Sequence, residues 1–155
     1  MKMRRKNNEI KDRNKIDEII RSCDVCRLAL SRDNKPYLIP ISFGYDGENL
    51  YFHTATEGKK IDHFAQNNNV CFEFDRNGKL ITGDKACDWT YHYESVIGYG
   101  KIYELTEREE KIHGLNQLMN QYSGKDSWEY SDNDLNRTKV WKLEIESVTG
   151  KFLGK

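Results

Sequence analysis

The segment at residues 50–62, LYFHTATEGKKID, combines residue types that suit binding of an anion. An aromatic run with strand character gives way to hydroxyl residues, a glycine and two lysines at the start of a predicted helix. The free N–H groups and positive dipole end of a helix N-terminus favour an anion, and Lys59 and Lys60 add charged donors. The pattern fits a phosphate monoester, and a solvated lysine pair on a surface helix is the alternative. His53 ends the preceding strand and is the histidine placed nearest to this chemistry.

Thiolates and imidazoles are the other groups with possible chemistry. The chain has four cysteines, Cys23, Cys26, Cys71 and Cys87. They could ligate zinc, but they include only one close pair, so buried, reduced, structural cysteines are predicted. The C-x-x-C pair leads into a strand instead of opening a helix, which argues against a thioredoxin-like site. The histidines show no metal-ligand spacing, and His63 and His113 are predicted on helix surfaces.

Known nucleotide-binding signatures and several protein classes are excluded by inspection. Counting back from Gly58 places His53 where a P-loop needs glycine, and Gly98 and Gly100 lack the third glycine of a dinucleotide fingerprint. The 155 residues predict one domain, residues 1–155, and the 25 basic and 25 acidic residues argue against a nucleic-acid partner. The longest apolar run without charge, residues 36–45, is too short to cross a bilayer, and no secretory signal precedes it. We therefore expect no membrane partner and a cytoplasmic location.

Hydrophobic periodicity predicts the elements of the first half. Residues 14–23 carry a helical stripe that Asp12 or Asn14 can cap. Strands at residues 25–30, 37–43 and 50–53 follow through short polar turns. A second helix then buries Ile61, Phe64 and Ala65.

The second half is predicted from turn and capping signals. Asn77 and Gly78 suggest a hairpin turn between strands at residues 70–74 and 79–82, with an irregular stretch at 83–93. In the long strand at residues 95–105, Gly98 and Gly100 mark a bulge or a close approach. Thr106 and Glu109 suggest a capping box for a third helix, residues 123–137 read as a loop, and residues 140–148 form a closing strand. The inner side of that helix is predicted to carry Ile112, Leu115, Leu118, Met119 and Tyr122.

The order of these elements predicts a mainly β fold with flanking helices. Six or seven strands, with early strands joined by turns and about three helices, favour a closed or half-closed antiparallel barrel over a doubly wound sheet.

Two stretches, VCRLALSRDNKPYLIPISFGYDGENLYFHTATEGKKID and CDWTYHYESVIGYGKI, carry a resemblance to a known superfamily. Taken with residues 149–151, they resemble the pyridoxamine phosphate oxidase-like FMN-binding split barrels, and more narrowly the nitroimidazole-resistance branch. The resemblance spans about residues 3–151. It implies a homodimer with FMN in a cleft at the subunit interface.

The same resemblance implies roles for particular residues. The residues that would contact the phosphate and the ribityl chain of FMN are His53, Thr54, Ala55, Lys59 and Lys60. The isoalloxazine would lie along Pro40, Ile41, Ser42 and Phe43, and the second subunit would contribute Ser95 and Val96. Second-rank candidates are Trp89, Trp141 and Lys151. Gly58 stands where pyridoxamine phosphate oxidases proper place a basic residue, which argues against pyridoxine phosphate as substrate.

The function implied is an FMN-dependent reductase, in which a nicotinamide donor reduces the flavin and a small acceptor such as a nitroaromatic is reduced in turn. No residue is assigned an acid or base role, although His53 is a possible substrate contact. The alternative is a non-catalytic protein that holds flavin, haem or F420 as a carrier or sensor.

Overall fold

The strands form one antiparallel sheet, as seen in the computed structural model, which describes residues 4–154. Its eight strands are β1 Glu9–Ile10, β2 Cys26–Arg32, β3 Lys35–Ile41, β4 Gly44–Tyr45, β5 Asn49–Thr54, β6 Asn69–Ile81, β7 Thr90–Leu105 and β8 Lys139–Leu153. The α-helices are α1 Arg13–Ser22, α2 Lys59–Gln66, α3 Arg108–Ser123 and α4 Asp132–Arg137. The predicted mainly β split-barrel class is confirmed, with two departures in number: eight strands and four helices.

The strand order is β3-β2-β6-β7-β8-β5-β4, and β1 pairs with β8 outside this path. Strands β3 and β4 therefore lie at opposite ends of the hydrogen-bonded path. The β2–β3 turn holds Asp33 and Asn34 at φ 50° and 60°, the left-handed pair that a tight hairpin requires. This turn sets the register that pairs Pro40 with Arg27.

The hydrophobic core fills the space inside the sheet. Alternate residues of β2 face inward, and so do Phe72 and Phe74 of β6, all nearly inaccessible to solvent. Helix α1 adds Ile19 and Ile20, both fully buried, which confirms the predicted apolar stripe. Asp12 caps this helix by accepting a hydrogen bond from the Asn14 N–H. Each buried leucine, isoleucine or phenylalanine side chain contributes about 1.5–3 kcal/mol to folding.

The glycines of β7 were predicted to mark a bulge or a close approach, and the structure confirms both. The register against β8 shifts between Tyr99 and Gly100. A Cβ on Gly98 would lie 2.1 Å from the Phe72 ring, and one on Gly100 would lie 2.1 Å from the carbonyl oxygen of Glu144. Neither position has room for a side chain.

The predicted hairpin at Asn77 and Gly78 is wrong. Asn77 does adopt φ 56°, but β6 continues to Ile81 and stays paired with β7 across a register shift between Arg76 and Lys79. The irregularity is thus a bulge, because β7 supplies partners on both sides of it. The chain reverses instead within residues 82–89, and β7 begins at Thr90, inside the stretch predicted to be irregular.

Two helix predictions also need correction. Helix α3 begins after Glu107, with no side-chain cap, because β7 runs to Leu105 and leaves Thr106 too early to serve as a cap. Residues 123–137 include α4, whose capping box joins Ser131 and Asp134 and whose Leu135 is buried. That S-x-x-D pattern was the available signal for the missed helix.

Two side-chain placements differ from expectation as well. Tyr122 of α3 is 46% exposed, although its hydroxyl bonds to the main chain. Cys23 and Cys26 are buried as predicted and Cys71 is half-buried, but Cys87 is exposed on the connection between β6 and β7.

Within residues 4–154, no helix is long and apolar enough to span a membrane.

Candidate functional site

The junction between β5 and α2 turns from a buried strand into an exposed loop. Thr54, the last residue of β5, is only 6% exposed, whereas Ala55 through Lys59 lie at the surface. The Thr54 hydroxyl donates to the Ala55 carbonyl at 2.8 Å, which holds the chain where it leaves the sheet. The following main-chain groups are thereby presented to solvent.

Trp141 of β8 anchors this junction from inside the protein. Its Nε1–H donates to the Thr54 hydroxyl at 2.9 Å in a buried hydrogen bond. Its ring packs on Phe64 of α2, with centroids 4.9 Å apart. Trp141 therefore connects the end of β5 to the helix that follows, and its place is behind the site instead of at its surface.

We expect Trp141→Phe to lower the free energy of unfolding by about 1–3 kcal/mol, because the buried Thr54 oxygen loses its donor and the smaller ring gives up part of the packing of the indole. Urea denaturation measures this loss. Adding Thr54→Val removes the other partner, so the double variant should lose less than the sum of the single losses. Additive losses would show that the hydrogen bond contributes nothing to this junction.

Helix α2 begins at a glycine that leaves its first turn open. Gly58 is the N-cap residue at φ 143°, a conformation that favours glycine, and no side chain caps the helix. A Cβ at this position would meet nothing within 4 Å. The N–H groups of Ile61 and Asp62 already donate to the Gly58 carbonyl, at 3.0 and 3.2 Å. The N–H groups of Lys59 and Lys60 have no acceptor within the helix and no side-chain cap, so they are the ones available to an anion.

Lys59 and His63 of α2 join the helix to Tyr37 of edge strand β3. The Lys59 ammonium lies 4.3 Å from the Tyr37 ring centroid, and the His63 ring lies 4.9 Å from it. His63 Nδ1 is 2.7 Å from the Lys59 carbonyl oxygen, so this nitrogen carries the proton that is donated. His63 is only 6% exposed, which corrects its predicted surface position; His113 is exposed as predicted.

His53 and Lys60 supply the remaining polar groups of the junction. His53 is exposed at the end of β5, and partial burial of its imidazole, followed by the charge of Lys60, lowers the pKa of His53. At neutral pH the ring is therefore uncharged and offers one donor and one acceptor. The acidic Asp62 also lies in the first turn of α2, three residues after Lys59, and it lines a surface hollow with Arg32.

The segment predicted to face the flavin ring runs off the end of β3. Pro40 and Ser42 are exposed and Ile41 is half-buried, so these three remain available to a ligand. Phe43 is fully buried, and its N–H is bonded to the Tyr122 hydroxyl at 3.1 Å. The prediction that Phe43 lines the ring is therefore corrected: its side chain belongs to the core.

Ser95 and Val96 lie on β7, away from the junction. Two strands separate β7 from β3 in the sheet, a distance of about 14 Å at normal strand spacing. Within one chain these residues do not join the β3 segment, and their expected role toward a second subunit stays a prediction. Val96 is fully buried, so its side chain cannot contact a ligand, whereas Ser95 is 7% exposed. Of the second-rank candidates, Trp89 is 53% exposed.

The residues present fit the phosphate and ribityl chain of FMN. The open start of α2, the two lysines and the neutral imidazole of His53 are suited to a phosphate group and its attached polyol. Sequence reasoning missed Tyr37, which brings β3 against α2. Its only signal was the alternation of Tyr37, Ile39 and Ile41, and this alternation does not reveal that α2 packs on that face.

Comparisons with known proteins agree with this fold. A proposed 5-nitroimidazole antibiotic resistance protein from Bacteroides thetaiotaomicron is 36% identical, with 93% of this chain and 86% of that chain covered, and superposes with a TM-score of 0.83. An FAD- and haem-binding protein from Mycobacterium smegmatis shares the fold at 17% identity and a TM-score of 0.85, covering 96% of this chain and 74% of that one. The uncharacterized protein RA0666 from Rhizobium meliloti (strain 1021) is 28% identical over 116 residues, 70% of this chain and 68% of its own length. The family model described as pyridoxamine 5′-phosphate oxidase matches residues 12–152, and the chain therefore belongs to that family.

Proposed function

We propose that the protein binds FMN and uses it as an NAD(P)H-dependent reductase of nitroaromatic or related small acceptors. The observation that carries this proposal is the open start of α2, where Gly58 and two lysines follow a strand end that Trp141 holds in place. The 36% identity to the Bacteroides protein supports the choice of acceptor class.

Bound FMN would supply the two-electron chemistry, and the chain would supply binding and orientation. Lys59 and Lys60 hold the phosphate group. His53 and the polar main chain after Thr54 hold the ribityl segment. The exposed end of β3, at Pro40 to Ser42, provides a surface for the flat ring.

A second copy of the chain completes the cleft in this proposal. The outer face of the sheet carries an apolar row across four strands, in which Leu38, Ala29, Cys71 and Tyr99 pair in turn. Leu38 is 63% exposed and Tyr99 is 44% exposed. Exposed apolar patches of this kind are typical of protein interfaces, and the same face carries Ser95.

The test begins with the purified protein. We expect flavin absorbance near 450 nm that co-sediments with a dimer, and steady oxidation of NADH or NADPH when a nitroaromatic or quinone is added. Bound flavin without turnover with any nitro, quinone or flavin acceptor would favour the carrier or sensor alternative. A preparation that stays colourless after incubation with excess FMN would refute both.

A further inference from the structure

A cavity of about 360 Å³ lies between the N-terminal segment and the end of β8. It is lined by Arg4, Arg5, Lys151 and Leu153, and its volume falls within the range of small-molecule sites. The short β1 strand pairs with β8, with Glu9 opposite Lys151, and this pairing places the preceding arginines over the end of β8. The Asn8 N–H also bonds to the Arg5 carbonyl at 3.1 Å, which fixes the turn that follows.

The cavity is strongly cationic in a chain whose formal charges cancel. None of the ion pairs formed among residues 4–154 involves Arg4, Arg5 or Lys151, even though Glu9 is the cross-strand neighbour of Lys151. The lining residues include three cations and no carboxylate, a set that favours an anion with several oxygen acceptors. Leu153 adds an apolar wall, which suits an anion attached to a larger organic body more than a bare ion.

The sheet register places this cavity beside Ser95, the residue that the second subunit is proposed to contribute to the flavin cleft. Lys151 pairs with Ser95 of β7, and Leu153 pairs with Tyr93. Directly paired residues of neighbouring strands share one face of a sheet. The cavity thus lies beside Ser95 and next to an aromatic residue.

We propose that this cavity binds the phosphate group of a nucleotide. That the cavity lies next to bound flavin rests on the proposed function, but binding of a nucleotide phosphate can be measured whether or not flavin binds. Two nucleotides present the required chemistry: the adenosine diphosphate part of a nicotinamide donor, and the same part of a flavin dinucleotide.

Calorimetric titration of the full chain with ADP tests the proposal, with adenosine as the uncharged control. We expect ADP to bind with an affinity that weakens as salt rises, and adenosine to bind at least about tenfold more weakly. Arg4→Ala/Arg5→Ala and Lys151→Met should each weaken ADP binding about tenfold or more, and Arg4→Lys/Arg5→Lys should restore part of it. The matched control Arg108→Ala/Arg137→Ala removes two exposed arginines from α3 and α4 and should leave ADP binding unchanged.

A second titration, on protein saturated with FMN, separates the two sources of the phosphate. Retained ADP binding assigns the cavity to a separate nucleotide such as the nicotinamide donor. Loss of ADP binding, together with FAD affinity that exceeds FMN affinity and falls in Lys151→Met, assigns it to the flavin dinucleotide. Failure of ADP to bind, or equal binding by wild type and Arg4→Ala/Arg5→Ala, would overturn the proposal, whereas failure of FMN to bind would overturn only the proposed function.

Discussion

Replacing both lysines at the start of α2, in Lys59→Ala/Lys60→Ala, is expected to raise the dissociation constant for FMN by about 10- to 100-fold. Two charged donors to the phosphate are lost, while the open amide groups after Gly58 remain. The loss of FMN affinity stays within this range because both ammonium groups must give up bound water to reach the phosphate, which offsets part of what each contact contributes. Fluorescence titration of flavin-free protein measures the change.

The contact of Lys59 with Tyr37 makes a control necessary. Removing that cation–π contact costs only about 0.5–1 kcal/mol at an exposed site, so the free energy of unfolding should fall little. Lys101→Ala/Lys125→Ala removes two lysines elsewhere and should leave FMN affinity unchanged. An equal loss in both double variants would indicate general electrostatic attraction, and unchanged affinity in the first would show that the phosphate binds elsewhere.

Gly44→Ala is expected to lower the free energy of unfolding by about 3 kcal/mol, the upper end for overpacking. The new Cβ would lie 2.4 Å from the carbonyl carbon of Gln117 and 2.5 Å from the nitrogen of Leu118, both main-chain atoms of α3. A helix backbone cannot rotate out of the way as a side chain can, so α3 must move away from β4. A fall of about 6–12 °C in the melting temperature would accompany this loss.

Gly124 provides the matched control for Gly44. It ends α3 at φ 73°, and a Cβ there would meet nothing within 4 Å. Asparagine tolerates this left-handed position, so Gly124→Asn should cost about 1 kcal/mol or less. Equal destabilisation by the two substitutions would contradict the assignment of the Gly44 effect to crowding against α3.

Local signals in the sequence predicted those parts of the fold that depend on neighbouring residues. The apolar stripe of α1 and its cap are encoded within one short segment: the stripe was predicted, and Asp12 is the one of the two predicted cap candidates that serves. Asn77 was expected in a hairpin turn, and it does adopt a left-handed backbone, at φ 56°. Its consequence was predicted wrongly, because whether such a residue makes a turn or a bulge depends on where β7 lies.

In the candidate site, too, the features that depend on neighbouring residues could be predicted and those that depend on distant residues could not. The junction after Thr54 could be identified from its composition, since hydroxyl residues, a glycine and lysines stand together in the chain. The hydrogen bond from Trp141 to Thr54 joins residues 87 positions apart, and no spacing rule predicts it. The burial of Phe43 and Val96 likewise depends on which strand face meets the core.

The position of α2 determines how edge strand β3 is held against the rest of the sheet. Edge strand β3 contacts this helix through Tyr37, and β8 contacts it through Phe64 and Trp141. Among the described strands, β3 pairs with β2 alone, so its other side meets α2 through aromatic and cationic side chains instead of main-chain hydrogen bonds. This contact contains no hydrogen bond between strands, so a ligand bound between α2 and β3 would add to the interactions that join them.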